Sequence, residues 1–422
     1  MTIDRKSMGS RWTRRQFARL TAAAWGATSL HHASVAASLS AERGIRDITW
    51  EMGRPLPRPT KGQAQGVVGE SIIFACGPGY PGWIPAQEPR NRGKHNDVFL
   101  FNTRTLRYEA LPEAPVGIRW PQAAVVGEDF YLLTGWVLWP DPKPDVSSKR
   151  MFRLSRRTGD WKWEAMPSLR TGRFIPGVAA VGGTIVVMGG QASFGAPAWG
   201  ADFPGVEVSA VEAFDTSAPD QGWRDLPPVP GLPRESMAAA AVGRRVYVFG
   251  GFYTKYAEAR TSEDFGRLMR GCGDAYVLDL ETLRWRKLPD APFPAQGWES
   301  AVYQDRYIIL AGGVKNYPVE HPYRFADRIP KILQPNFEVL VFDTVTETYR
   351  TLPSSIPPYR IKDPGIRAKA LKEATTIDFS KGVYRLCARL SRIGRTLYLC
   401  GAEVVDPANV TDEVVVGTIH ET

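Results

Sequence analysis

Val248-Phe249-Gly250-Gly251 ends an apolar β-run in two glycines, and the same phrase recurs along the 422 residues. The other copies close at Ile73-Phe74-Ala75-Cys76-Gly77, Leu132-Leu133-Thr134-Gly135, Val187-Met188-Gly189-Gly190, Leu310-Ala311-Gly312-Gly313 and Leu399-Cys400-Gly401-Ala402. Their first glycines stand 58, 54, 61, 62 and 89 residues apart. Each copy also holds a first apolar strand, a tight turn before the glycine-ended run, and an aromatic residue shortly before Leu-Pro or its equivalent. A unit of this kind cannot bury its own faces and must stack on its neighbours. For short antiparallel sheets the radial solution is a β-propeller, one sheet per blade.

The second copy shows the blade. Gln122 to Val126 reads as an inner strand, Gly127-Glu128-Asp129 as a turn, and Phe130 to Thr134 as the return. Third strands are expected at Val98 to Asn102, Met151 to Leu154, Ala275 to Leu278 and Val339 to Phe342. Outer strands follow at Arg107-Tyr108-Glu109, Trp161-Lys162-Trp163, Trp223-Arg224, Trp285-Arg286 and Tyr349-Arg350. The last copy supplies three strands, near Val383 to Leu390, Leu397 to Cys400 and Val414 to Ile419, and then the chain stops. Ile48-Thr49-Trp50-Glu51 precedes Leu56-Pro57 as an outer strand would, so this N-terminal strand is expected to complete the sixth blade. Glycine pairs after β-runs at this period, with aromatics before Leu-Pro, resemble the kelch repeat. The expected fold is therefore all-β, a six-bladed kelch-type β-propeller over residues 45–420.

The first residues stand outside the repeat. Thr13-Arg14-Arg15-Gln16-Phe17 has the twin-arginine form, and no charge falls between Leu20 and Ser40. Ser34-Val35-Ala36 offers a small-residue cleavage site. Residues 1–37 read as a twin-arginine export signal, giving a periplasmic or secreted product with no stable membrane insertion once the signal is cut. Its removal lowers the formal charge from +9 to about +4, which gives no footing for nucleic-acid binding. Only His95, His321 and His420 then remain, scattered, so a multi-histidine metal site is poorly supplied and no cofactor is implied.

Two sets of loops share one end of the expected channel, and the set after the glycines is long: Pro78 to Asn96, Gln191 to Pro204, Phe252 to Gly271 and Val314 to Pro335. Function gathers on such loops. Within them, Thr261 to Gly271 reads as a short helix, and Tyr317, His321, Tyr323, Arg324 and Phe325 form an aromatic and basic loop. A mixed-charge excursion runs from Ile361 to Lys381. Aligning the lead-ins to the inner strands sets Lys61, Arg119, Arg173, Arg234 and Arg385 at one equivalent place, with Gln296 in the fifth blade. Guanidinium groups converging on a channel suit a carboxylate; the same arginines also suit bonds to loop carbonyls. Glu235, Glu299 and Glu403 are the nearby acids, each a general acid/base candidate or a salt-bridge partner. If Ile393-Gly394 is the hairpin turn, Cys387 faces Cys400 and a cross-strand disulfide is open to them, as are two buried thiols.

The exported kelch blades and arginine-lined channel resemble the bacterial periplasmic N-acetylneuraminate epimerases, the sialic acid mutarotases. That resemblance implies interconversion of sugar anomers by ring opening, without metal or nucleotide. It implies a Glu just after a blade's glycine, matched by Gly401-Ala402-Glu403, and an Arg some six residues on, where this chain has Asn409. In this reading Glu403 or Glu299 takes the anomeric proton, and an Arg pair such as Arg119 and Arg173 holds the carboxylate of an acidic sugar. The competing reading is a non-catalytic module that binds a glycan or a partner protein through the long-loop face. A copper-radical oxidase, which also uses kelch blades, would need tyrosine, cysteine and histidine ligands together.

Overall fold

The computed structural model describes residues 44–77, 96–139, 146–157, 159–193, 205–254, 269–316, 333–360, 364–365, 368, 383–404 and 410–422. The signal expected over residues 1–37, the loop from Tyr317 to Phe325, most of the excursion from Ile361 to Lys381, and His95 and Asn409 lie outside them. The compact unit runs from Gly44 to Thr422.

Six four-stranded antiparallel sheets form the blades of a β-propeller. Blade 1 takes Ala64–Val68, Ser71–Ala75, Val98–Asn102 and Arg107–Leu111, and blade 2 takes Gln122–Val126, Asp129–Leu133, Met151–Ser155 and Lys162–Met166. Blade 3 takes Gly177–Val181, Thr184–Met188, Val211–Asp215 and Trp223–Leu226; blade 4 takes Ala238–Val242, Arg245–Phe249, Ala275–Asp279 and Arg284–Leu288. Blade 5 is Glu299–Tyr303, Tyr307–Ala311, Leu340–Asp343 and Thr348–Thr351. Blade 6 is Arg389–Ile393, Thr396–Glu403, Val410–Glu421 and, as its outer strand, the N-terminal Ile45–Met52. The pairing of Ile48 with Ile419 and Trp50 with Gly417 is the completion expected from the sequence.

The turns and motifs have local causes. Five first hairpins turn on two residues with glycine first: Gly69, Gly127, Gly182, Gly243 and Gly394, all with φ between +56° and +60°. A positive φ there matches the strand twist and costs glycine nothing. The aromatic-before-Leu-Pro motif ties blades together. Trp163, Trp223 and Trp285 donate their indole N–H to the carbonyls of Pro112, Pro167 and Pro227 in the preceding blade, at 2.9, 2.8 and 2.8 Å. The Tyr349 hydroxyl does the same to Pro289 at 3.1 Å. These aromatics are inter-blade fasteners, as Trp with a reachable acceptor should be when buried.

Apolar clusters fill the gap between each blade and the next, from blades 1 and 2 through blades 5 and 6, and another joins blade 6 to blade 1. In that last one Ile72, Phe74 and Phe101 meet Tyr398, Cys400 and Val414. The inner strand of blade 6 lies against those of both blade 5 and blade 1.

Three expectations need correction. The inner strand of blade 6 begins at Arg389, not near Val383, because Cys387 takes φ +55° and turns the chain just before it. The hairpin turns on Gly394-Arg395, so Arg389 rather than Cys387 stands opposite Cys400. A one-residue change in turn position moves every cross-strand partner, and all four cysteines are free. Met269–Gly271, expected at the end of a helix, is a strand paired with Phe252–Thr254.

Candidate functional site

The glycine pair of each blade holds on to the next blade at one repeated hydrogen bond. The backbone N–H groups of Gly77, Gly135, Gly190, Gly251, Gly313 and Ala402 donate to the carbonyls of Ile118, Arg173, Arg234, Ala295, Arg385 and Thr60, at 2.8 to 3.2 Å. The second glycine has no room for a side chain: a Cβ on Gly251, at φ +91°, would stand 2.6 Å from the Glu235 carbonyl. Two residues past each accepting carbonyl, all six blades have a left-handed residue: Gly62, Trp120, Ile175, Ser236, Gly297 and Cys387. A β-branched Ile175 at φ +40° is costly in isolation. Its repetition in every blade assigns the bend to the architecture, which turns each chain into its inner strand.

This frame corrects the aligned cationic ring. Arg173, Arg234 and Arg385 occupy the accepting position, whereas Lys61, Arg119 and Gln296 stand one residue beyond it. One residue in an extended segment sends the side chain to the other side. The first set is bound within its own blade. Arg173, fully buried, pairs with Glu212 and donates to the Ala210 carbonyl at 2.6 Å. Arg234 forks onto Asp274 at 2.6 and 2.9 Å, and Arg385 meets Glu413 at 2.7 Å. Burial works against the Asp274 carboxylate, but the hydrogen bonds and charge of Arg234 outweigh it and hold its pKa below the ordinary value. In blade 1 the matching pair is Arg58 with Asp97, at 2.5 and 2.7 Å. The sequence signal for it was an acid at the start of the third strand, which the alignment on lead-ins alone passed over.

The second set lies elsewhere. The Lys61 ammonium donates to Glu403 at 2.6 Å and sits 5.3 Å from the Trp120 ring centroid. Asn316 donates to the Gln296 side chain at 2.9 Å. Arg119 is buried, and its backbone pairs with Trp136. Trp136 stacks on Phe174 with centroids 4.1 Å apart, and Trp120 meets both edge-on. Glu235 is buried too, bridged through its backbone to Phe252.

Where the inner strands begin, a cavity of about 70 Å³ is lined by Trp120, Gln122, Ser236, Glu299, Cys387 and Arg389 among others. Arg389, which the sequence reading did not single out, organises it. Its Nε donates to the Gln63 carbonyl at 2.9 Å, its Nη2 to the Pro121 carbonyl at 3.1 Å, and its Nη1 to Glu299 Oε1 at 2.7 Å. One side chain of blade 6 thus reaches blades 1, 2 and 5. Its signal was a charge at the first residue of an inner strand, where blades 1, 3 and 4 have Ala64, Gly177 and Ala238. Burial pushes the Glu299 carboxyl above the usual range, and the Arg389 charge pulls it only partly back. Burial also pushes the Cys387 thiol up to about 12, so it stays protonated. Among the described residues no three His, Cys, Asp or Glu side chains group as a metal would require.

The kelch motif family matches residues 233–292, the stretch that holds blade 4. The chain is 28% identical to the kelch-like protein terF of Aspergillus terreus over 214 residues, 49% of this chain and 42% of that one. It is 31% identical to an N-acetylneuraminate epimerase of Yersinia enterocolitica over 102 residues, 24% of each chain. An N-acetylneuraminate epimerase of Yersinia pestis is 30% identical over 115 residues, 26% of this chain and 28% of that one. The chain spans less than half the length of each of these relatives. It is a kelch-repeat protein, and it resembles the N-acetylneuraminate epimerases.

Proposed function

We propose that the protein is a mutarotase for sialic acid or a related acidic sugar, working by acid/base-assisted ring opening in the channel. The observation that carries this reading is Glu299: a carboxyl on the cavity wall, 2.7 Å from Arg389, whose pKa burial raises above the ordinary value. Anomer exchange needs a proton removed from the anomeric hydroxyl and another delivered to the ring oxygen, and a raised carboxyl is suited to delivery. Glu403, in its ion pair with Lys61 behind the cavity wall, is the partner that accepts the hydroxyl proton; it and the wall residue Glu299 both act on the charge of Cys387. The required barrier lowering is modest, since each 1.36 kcal/mol is worth about tenfold and mutarotation already proceeds in water. Arg173 and Arg234 hold the fold rather than the sugar, each being committed to a carboxylate of its own blade.

The reading extends to export by the twin-arginine motif at Arg14 and Arg15. Among the described residues no helix is long and apolar enough to cross a membrane. Exchange NMR on a panel of acidic sugars tests the activity. The expected result is faster interconversion of the anomers than in buffer, lost in Glu299→Gln. A second reading, a non-catalytic glycan- or protein-binding module, draws support from those same committed arginines, and binding without faster exchange would favour it.

A further inference from the structure

We infer that the cavity beside Arg389 is a carboxylate site that fills together with one proton, taken up by Glu299. This extends the reading of the channel as the working site. Three of the five N–H groups of Arg389 serve Gln63, Pro121 and Glu299. Among the described residues, that leaves one N–H on each terminal nitrogen for a further acceptor, next to a cavity large enough for a small carboxylate. The guanidinium is the right receptor, since its paired donors match a carboxylate's two oxygens.

Charge then forces the proton. The wall already holds Glu299 against Arg389, and behind it Lys61 and Glu403 cancel one another. The Cys387 thiol adds no charge. Gln122 and Trp120 from the blade 2 side, Ser236 from blade 4 and Ser300 from blade 5 complete the lining with neutral groups. An incoming anion would make two carboxylates share one guanidinium. Like charges so placed cannot both stay ionised, and the protonated one becomes a donor to the other. Glu299 is the group to take the proton, because burial already disfavours its charged form.

Sodium formate is the probe, being the smallest carboxylate and having no anomeric centre. Calorimetric titration of the folded protein in buffers of different ionisation enthalpy counts the protons bound. The expected count is one per formate at a pH above the Glu299 ionisation, with affinity falling about tenfold for each further pH unit. Glu299→Gln should bind formate with no proton and no such pH dependence; Arg389→Gln should bind none. The wild-type proton count needs no variant to fold. Formate bound without a proton, a proton still taken up by Glu299→Gln, or no formate bound at all would overturn the inference. A protein that takes up formate with its proton yet leaves sugar anomers unaltered keeps this site and loses the proposed activity; faster anomer exchange with no formate bound does the reverse.

Discussion

Arg173 and Arg389 show what one residue's position decides. In the sequence Arg173 lines up with Lys61 and Arg119 to within one residue, and that residue separates a group bonded inside its blade from one turned to the other side. The acids Glu299 and Glu403 were legible because they sit at fixed offsets from repeated motifs; Arg389 was not, because its bonds go to residues from Gln63 to Glu299 that only the fold brings together. The Arg173–Glu212 pair, with both side chains at 2% exposure or less, belongs to stability. Glu212→Ala strands a buried guanidinium and should cost about 3–5 kcal/mol in denaturant unfolding, with any anomer exchange unchanged per folded molecule. A variant of wild-type stability would contradict the structural role given to this pair.

Among the described elements, the third-to-outer hairpin of blade 5 carries a pH dependence of its own. Asp343 accepts two hydrogen bonds from Arg306, at 2.9 and 2.8 Å, and caps the turn through the N–H of Val345 at 2.9 Å. The Arg306 hydrogen bonds bring its pKa down to about 2 from the ordinary 3.8, against a smaller opposing effect of burial. A depressed carboxyl contributes stability that is fully present above its unfolded pKa and lost as pH falls through the folded one. Stability should therefore drop by about 1 kcal/mol between about pH 4 and pH 2 from this group, discounted for its contact with solvent. Asp343→Asn should lose that share of the acid dependence in thermal melts; an unchanged acid limb would refute it. Elements of this kind were legible wherever turn glycines punctuate apolar runs. The inner strand of blade 6 was not, since Cys387 makes with a thiol-bearing residue the left-handed bend that Gly62 and Gly297 make with glycine.

At the scale of the molecule, the blade count and the N-terminal strand in blade 6 followed from the repeat, because a sheet short of one strand demands a partner from elsewhere in the chain. The channel's chemistry did not follow from the repeat, which fixes where inner strands begin but not which side chain bridges them. The pH dependence of kcat/KM for anomer exchange of N-acetylneuraminate tests the proposed chemistry most directly. With Glu299 as the proton donor, kcat/KM should fall as pH rises through a single ionisation above the ordinary glutamate range, and Glu299→Gln should lose that limb with most of the rate. A wild-type rate equal to that in buffer, or the same falling limb in Glu299→Gln, would contradict it.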